Sequence, residues 1–180
     1  MRTFIAIDLP EEVKSELADA QRQLSSAASA AAKMSLAHDF HLTLKFLGEI
    51  TPAKVEIVKN CLGNVKFKSF TAAVLGVGVF PSESYIRVVW IGIEPEDGFI
   101  RLQKQVDNTL EKEFPKDKDF KPHLTLARVK FVSDKSAFLQ QLRQIKVKNI
   151  KFTVDRFKLK KSTLTKEGAV YEDLAVYAGN

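Results

Sequence analysis

Phe40-His-Leu-Thr-Leu-Lys-Phe-Leu-Gly48 and Phe120-Lys-Pro-His-Leu-Thr-Leu-Ala-Arg128 carry one tetrapeptide twice, His41-Leu-Thr-Leu44 and His123-Leu-Thr-Leu126, at an offset of 82 residues. With Leu and Thr at ordinary usage, a second match of the tripeptide after a histidine has a chance on the order of one in a thousand. The match therefore points to a longer repeat. The same offset carries the helix-like stretch after Thr51-Pro52 onto the one after Ser133-Asp134, and Ser69-Phe70-Thr71 onto Lys151-Phe152-Thr153. Upstream, Arg2-Thr-Phe-Ile-Ala-Ile-Asp-Leu-Pro10-Glu-Glu12 lines up with Arg87-Val-Val-Trp-Ile-Gly-Ile-Glu-Pro95-Glu-Asp97. Each is an apolar, strand-like run that ends in Pro and acids, which suits entry into a helix. Helical spacing comes next, in Val13, Leu17, Ala20 and Leu24 and in Ile100, Leu102, Val106 and Leu110.

Each half thus reads strand, helix, strand, helix, strand, and a last strand from Ala169 to Tyr177 closes the chain. The expected organisation is a single domain over 1–180, with repeat units at about 1–80 and 86–162 and no linker between them. The stretch Pro81-Ser-Glu-Ser84 is a short turn, and Ser25–Lys33, rich in Ala and Ser, is either mobile or an extension of the first helix. Phe70, Ala72 and Val74 give way in phase to Leu75, Val77 and Val79, and Phe152 and Val154 give way to Phe157 and Leu159. A bulge or sharp bend produces such a flip. The strands alternate apolar with polar, and no glycine-rich strand-to-helix loop is present, which favours one-sided antiparallel sheets over a doubly wound parallel one. The expected fold is α+β and bilobal, with two antiparallel sheets and outer helices around a central cleft, related by a pseudo-twofold axis.

The tetrapeptide has its own chemistry. In a strand His41 and Thr43 share a face, with Leu42 and Leu44 behind them, and His123 and Thr125 repeat the arrangement over Leu124 and Leu126. A duplicated fold then lets the two histidines face each other across the groove. Displacement at phosphorus needs a base for the nucleophile and an acid for the departing oxygen, and imidazole can serve as either near neutral pH. The threonine hydroxyls can hold non-bridging phosphate oxygens, and nearby cations can neutralise charge in the transition state. Such a pair needs no metal, and no carboxylate cluster is evident to hold one. His38, outside the motif, reads as a surface or capping residue.

Composition bounds the rest. The 180 residues carry 45% hydrophobic and 28% charged residues and a net charge of +6, ordinary for a globular chain with a modest leaning toward polyanions. Nine Lys or Arg fall between Arg143 and Lys166 against one acid, Asp155. That run is either a solvated strand face or a surface for a phosphate backbone. No apolar run approaches the length of a membrane span, and a signal peptide is not expected at the N-terminus. The single cysteine, Cys61, excludes an internal disulfide and reads as core filling, so a cytoplasmic location is expected.

Together these residues resemble the two-histidine (2H) phosphoesterase superfamily, and within it the LigT-like RNA 2',3'-cyclic phosphodiesterases formerly called 2'-5' RNA ligases. The resemblance rests on Arg2–Pro10, His41-Leu-Thr-Leu-Lys-Phe-Leu-Gly48, Gly78-Val-Phe-Pro81 with Arg87-Val-Val-Trp90, and Phe120–Arg128. It implies hydrolysis of RNA 2',3'-cyclic phosphate ends to 2'-phosphomonoesters, without a cofactor or metal. It also implies an RNA partner, nucleotides in the cleft, and a monomer. Carried over residue by residue, His41 is the proton donor and His123 the acceptor, while Thr43, Thr125 and Arg128 bind phosphate. By strict alternation Arg128 lies on the face opposite His123, which a twist or bulge near Ala127 would resolve. Lys45 shares the face of His41 by the same count and is a second candidate cation. A base-stacking aromatic is expected at Phe4 or Phe40. Two other functions use the same sequence: RNA joining on tRNA halves, and RNA binding without catalysis.

Overall fold

The computed structural model describes residues 1–28, 30–166 and 168–180. In chain order its elements are β1 (Arg2–Asp8), α1 (Glu11–Ala28), β2 (Ala32–Leu36), β3 (His41–Glu49), α2 (Pro52–Leu62), β4 (Phe70–Ser82) and β5 (Tyr85–Glu94), followed by α3 (Glu96–Thr109), β6 (Leu124–Val132), α4 (Lys135–Leu142), β7 (Lys151–Val154), β8 (Arg156–Thr165) and β9 (Gly168–Ala178). The strands form two antiparallel sheets, β3-β1-β8-β9 and β2-β6-β5-β4-β7. The α+β fold expected from the alternating strands is present. Among the described residues no helix is long and apolar enough to cross a membrane.

The sheets do not coincide with the two halves of the sequence. β8 sits beside β1 with β9 at the edge beyond it, and β4 of the first half sits between β5 and β7 of the second. The exchange centres on one pair of strands. Phe70 pairs with Val154, Thr71 with Thr153, and Ala72 with Phe152. The 82-residue offset carries Phe70 onto Phe152 and Ala72 onto Val154, so this ladder is self-complementary and the pseudo-twofold axis runs through the Thr71–Thr153 pair.

The phase flips of the sequence mark the chain's course on either side of that axis. In β4 the register with β5 shifts between Val74 and Val77, a bulge. In the second copy the break at Asp155 is larger: β7 ends, and β8 enters the other sheet beside β1.

Helices cover the sheets crosswise, α1 packing on α4 and β6, and α3 on α2 and β3. Val13, Leu17, Ala20 and Leu24 of α1 are fully buried, as their spacing predicts. In α3 the buried stripe is Phe99, Leu102, Val106 and Leu110, so Phe99 takes the core position that the sequence pattern assigned to Ile100. Thr51 caps α2 by accepting from the Lys54 N–H, and Asp134 caps α4 by accepting from the Ala137 N–H at 2.9 Å. Helix α1 runs to Ala28 and β2 begins at Ala32, so the Ala/Ser segment divides between a helix and a strand; its Ser29 lies outside the described residues. Cys61 packs partly buried against the core.

Leu42, Leu44, Leu124 and Leu126 are all 0–1% exposed and anchor the motif strands in the core. Leu42→Ala and Leu124→Ala should each lower the unfolding free energy by about 2–5 kcal/mol. Urea titration would show this as a lower midpoint at unchanged slope.

Candidate active site

β3 and β6 bring the two motifs to one cavity of about 880 Å³. His41, Thr43, His123, Thr125 and Arg128 line it together. Alternation supplies the start of each strand, since the two Leu of each motif point inward and His41 and Thr43, with Thr125, point to the cleft. His123 sits one residue before β6 begins.

Both strands then bulge at the same point. β1 pairs Ala6 with Thr43 but Ile5 with Lys45, so Leu44 is the extra residue. β5 pairs Trp90 with Thr125 but Val89 with Ala127, so Leu126 is extra, 82 residues on. The Leu126 carbonyl accepts from the Ala37 N–H at 2.9 Å and from Gln21 Nε2 at 2.8 Å, which satisfies the irregular backbone. Each bulge reverses the parity of the residues downstream of it. Ala127 turns inward and Arg128 outward to the cavity, removing the conflict that strict alternation raised for Arg128.

The same reversal moves Lys45. Counted by alternation it shares the face of His41, but the bulge buries it to 2% exposure, and its ammonium meets Asp107 Oδ1 at 2.5 Å. Lys45 borders the cavity, but its ammonium is engaged by Asp107 on the α3 side of β3. The residue at the Arg128-equivalent position is Phe46, 63% exposed and on the cavity wall. The 82-residue offset alone would have found it.

The two histidines have different surroundings. His123 Nδ1 lies 2.7 Å from the Lys121 carbonyl. A carbonyl only accepts, so Nδ1 carries the hydrogen and Nε2 is left with its lone pair. Phe80 meets the His123 ring edge-on at 4.9 Å, and Trp90 lies at 6.4 Å and stacks on Phe80 at 4.7 Å. The indole fits because Gly78 faces it, since a Cβ there would overlap the ring. Burial in this aromatic corner pushes the His123 pKa down, and the Lys121 hydrogen bond, which raises it, does not offset that; the charges of Arg128 and Lys121 push the same way as burial.

His41 packs against Phe4, ring centroids 5.0 Å apart, and against Tyr171 at 5.3 Å. Its Nδ1 is buried, has no hydrogen-bond partner among the described residues, and lies 3.7 Å from Asp39 Oδ2, an ion-pair distance. Interaction with His41 holds the Asp39 carboxyl below its ordinary range despite burial. Burial and the Asp39 charge push the Tyr171 phenol up.

Phe4 is 3% exposed and supports the His41 ring, so it is not the open stacking face expected of it, and Phe40 packs against the core. Phe4, Phe46 and Tyr171 border the cavity on the His41 side, with Phe46 the most exposed of the three. Sequence reading could not place Tyr171 there, because nothing local ties β9 to the cleft. His38 is exposed, as expected, and lines the rim.

The basic run is largely neutralised. Lys158 and Lys160 bridge Asp8 and Asp173 at 2.5–2.8 Å, Lys161 meets Glu172 at 3.0 Å, and Arg156 meets Asp155 at 2.9 Å. Burial raises the Asp8 and Asp173 carboxyls, and the lysines more than offset it, so both end below their ordinary values. The part of the run that lies on β8 is therefore paired with acids within the molecule.

Comparison with known proteins gives a consistent outcome. The model of the family described as LigT like phosphoesterase matches residues 7–90 and again 91–171. An RNA 2',3'-cyclic phosphodiesterase of Thermotoga maritima is 38% identical over 97% of this chain and 93% of its own. The crystal structure of TT0787 of Thermus thermophilus is 31% identical, with a TM-score of 0.78 over 99% of this chain and 97% of that one. Escherichia coli LigT complexed with 3'-AMP is 25% identical, with a TM-score of 0.67 over 98% and 96% of the two chains.

Trp90, the only tryptophan, lies close enough to His123 to report its charge, because an imidazolium quenches indole emission. Burial disfavours that cation, so emission should fall on acidification with a midpoint below the ordinary histidine value. The transition should vanish in His123→Ala.

Proposed function

This chain belongs to the LigT like phosphoesterase family, and from that premise we propose that it hydrolyses RNA 2',3'-cyclic phosphate ends to 2'-phosphomonoesters, with His41 as acid and His123 as base. The observation that carries the reading is the unequal environment of two residues in equivalent motifs. Burial disfavours the charged form of His123 and its Nδ1–H rests on the Lys121 carbonyl, so Nε2 is left to accept a proton. His41 has a carboxylate, Asp39, beside Nδ1, the counter-charge that an imidazolium requires.

Nε2 of His123 takes a proton from water as the water oxygen bonds to phosphorus. The bond from phosphorus to the 3' oxygen breaks, and His41 gives that oxygen its proton. The product is a 3'-hydroxyl with a 2'-phosphate, and the two histidines exchange protons with solvent before the next turnover. Thr43 and Thr125 donate to the non-bridging oxygens, and Arg128 faces the charge that builds on them. Among the described residues no three His, Cys, Asp or Glu side chains gather as metal ligands. Both motifs come from one chain and line one cavity, so the working unit in this reading is a monomer acting as one domain over 1–180. The 3'-AMP complex of the relative LigT supports a nucleotide as the cleft's occupant.

Incubation with an oligonucleotide ending in a 2',3'-cyclic phosphate, in excess EDTA, should yield the 2'-phosphate with a bell-shaped pH–rate profile. His41→Ala and His123→Ala should each slow turnover by about 10²–10⁴-fold while RNA binding persists. A 3'-phosphate product, a joined product, loss of activity to the chelator, or unchanged turnover in both variants would count against the proposal.

A further inference from the structure

A strand beside a polar cleft has no local reason to bury a lysine, yet only 1% of the Lys45 side chain is exposed. Its ammonium donates to Asp107 Oδ1 at 2.5 Å and to the Pro115 carbonyl at 2.8 Å, and lies 3.4 Å from Asp117 Oδ2. Asp107 uses its other oxygen to accept from Gln103 Nε2 at 2.8 Å and from the Asp117 backbone N–H at 3.0 Å. An ion pair removed from water stabilises little by itself, and its use is to define geometry. Here it grips the main chain of residues 115 and 117 directly.

The gripped segment needs it. Between Thr109, where α3 ends, and Leu124, where β6 begins, there is no helix or strand. Long irregular connections in compact domains are usually either functional or loose. A second anchor comes from Lys54 of α2, which pairs with Glu113 and lies over the Phe114 ring. Beyond Asp117 the segment becomes the cavity wall, from Lys118 to Lys121, and it ends on the carbonyl that holds His123 Nδ1–H. The second motif carries Ala127 at the position of Lys45, so the clamp has no symmetric counterpart.

We infer that Lys45 and Asp107 are positioning residues for the base: they tie the first motif's strand to the segment whose Lys121 carbonyl keeps His123 in the Nδ1–H tautomer. This rests on the acid–base reading given above. When the segment loosens, the carbonyl withdraws, and a neutral imidazole is free to carry its hydrogen on Nε2, the nitrogen that must accept a proton. Neither Lys45 nor Asp107 touches the reacting atoms.

The test compares Lys45→Met and Asp107→Asn with Leu142→Ala, a core truncation on α4 remote from the segment. Imidazole ¹⁵N NMR reads the His123 tautomer, and turnover of the cyclic-phosphate oligonucleotide reads its consequence. Wild type and Leu142→Ala should show Nδ1–H. Lys45→Met and Asp107→Asn should shift His123 toward Nε2–H and lower kcat about 100-fold, with KM changed by less than about threefold. A folded Lys45→Met protein with the wild-type tautomer and kcat overturns the inference. If Lys45→Met does not accumulate, the wild-type tautomer in Asp107→Asn overturns it equally. The NMR measurement needs no turnover, so a wild-type protein inert toward the cyclic phosphate would defeat the proposed function without deciding the clamp.

Discussion

The pairing of Thr71 with Thr153 is the contact around which the molecule is organised. It is the place where two copies of one unit meet through their own backbone, and beyond it each copy sends chain into the neighbourhood of the other. Because β8 crosses to lie beside β1, and β4 lies beside β5, neither sheet can form from one half alone. The helices obey the same logic, with α1 on β6 and α3 on β3. Equivalent strands therefore end in equivalent places, and the two motif strands converge on one cavity without a hinge or linker. Burying Leu42, Leu44, Leu124 and Leu126 completely leaves the neighbouring His and Thr side chains little choice of direction.

Symmetry brings the groups together, and departures from symmetry make them differ. Asp39 stands beside His41, where His123 has the Lys121 carbonyl. Arg128 occupies the position at which the first motif has Phe46, and Ala127 the position of Lys45. One side of the cleft thus offers a cation and a histidine whose burial disfavours its charged form and whose Nδ1 is held on a carbonyl. The other offers aromatic faces, Phe46 and Tyr171, and a histidine with a counter-charge. Phosphoryl transfer needs that division, since one proton must arrive while another leaves.

Much of this was legible in the residues. The repeated tetrapeptide, the offset of 82 and the matched phase flips pointed to a duplicated α+β fold, because period-two burial is written directly into a strand. The features that stayed hidden depended on partners distant in sequence. The bulge at Leu44 was masked by Lys45, a charged residue that looks exposed until Asp107 is brought against it. In the second copy the adjacent Leu126 and Ala127 were a visible sign of the same bulge. The basic run after Arg143 looked unopposed because its acids, Asp8, Glu172 and Asp173, come from β1 and β9. Strand β2, at five residues, was too short to declare itself, and its pairing with β6 decides it. Tyr171 reached His41 only through the order of strands in the sheet.

The division of labour between His41 and His123 is tested most directly by changing the leaving group. A cyclic substrate with sulfur in place of the 3' bridging oxygen expels a thiolate, which needs no proton. On that substrate His41→Ala should recover turnover close to wild type, while His123→Ala should remain impaired, because water still needs its base. Recovery of His123→Ala in place of His41→Ala, or equal impairment of both, would contradict the assignment.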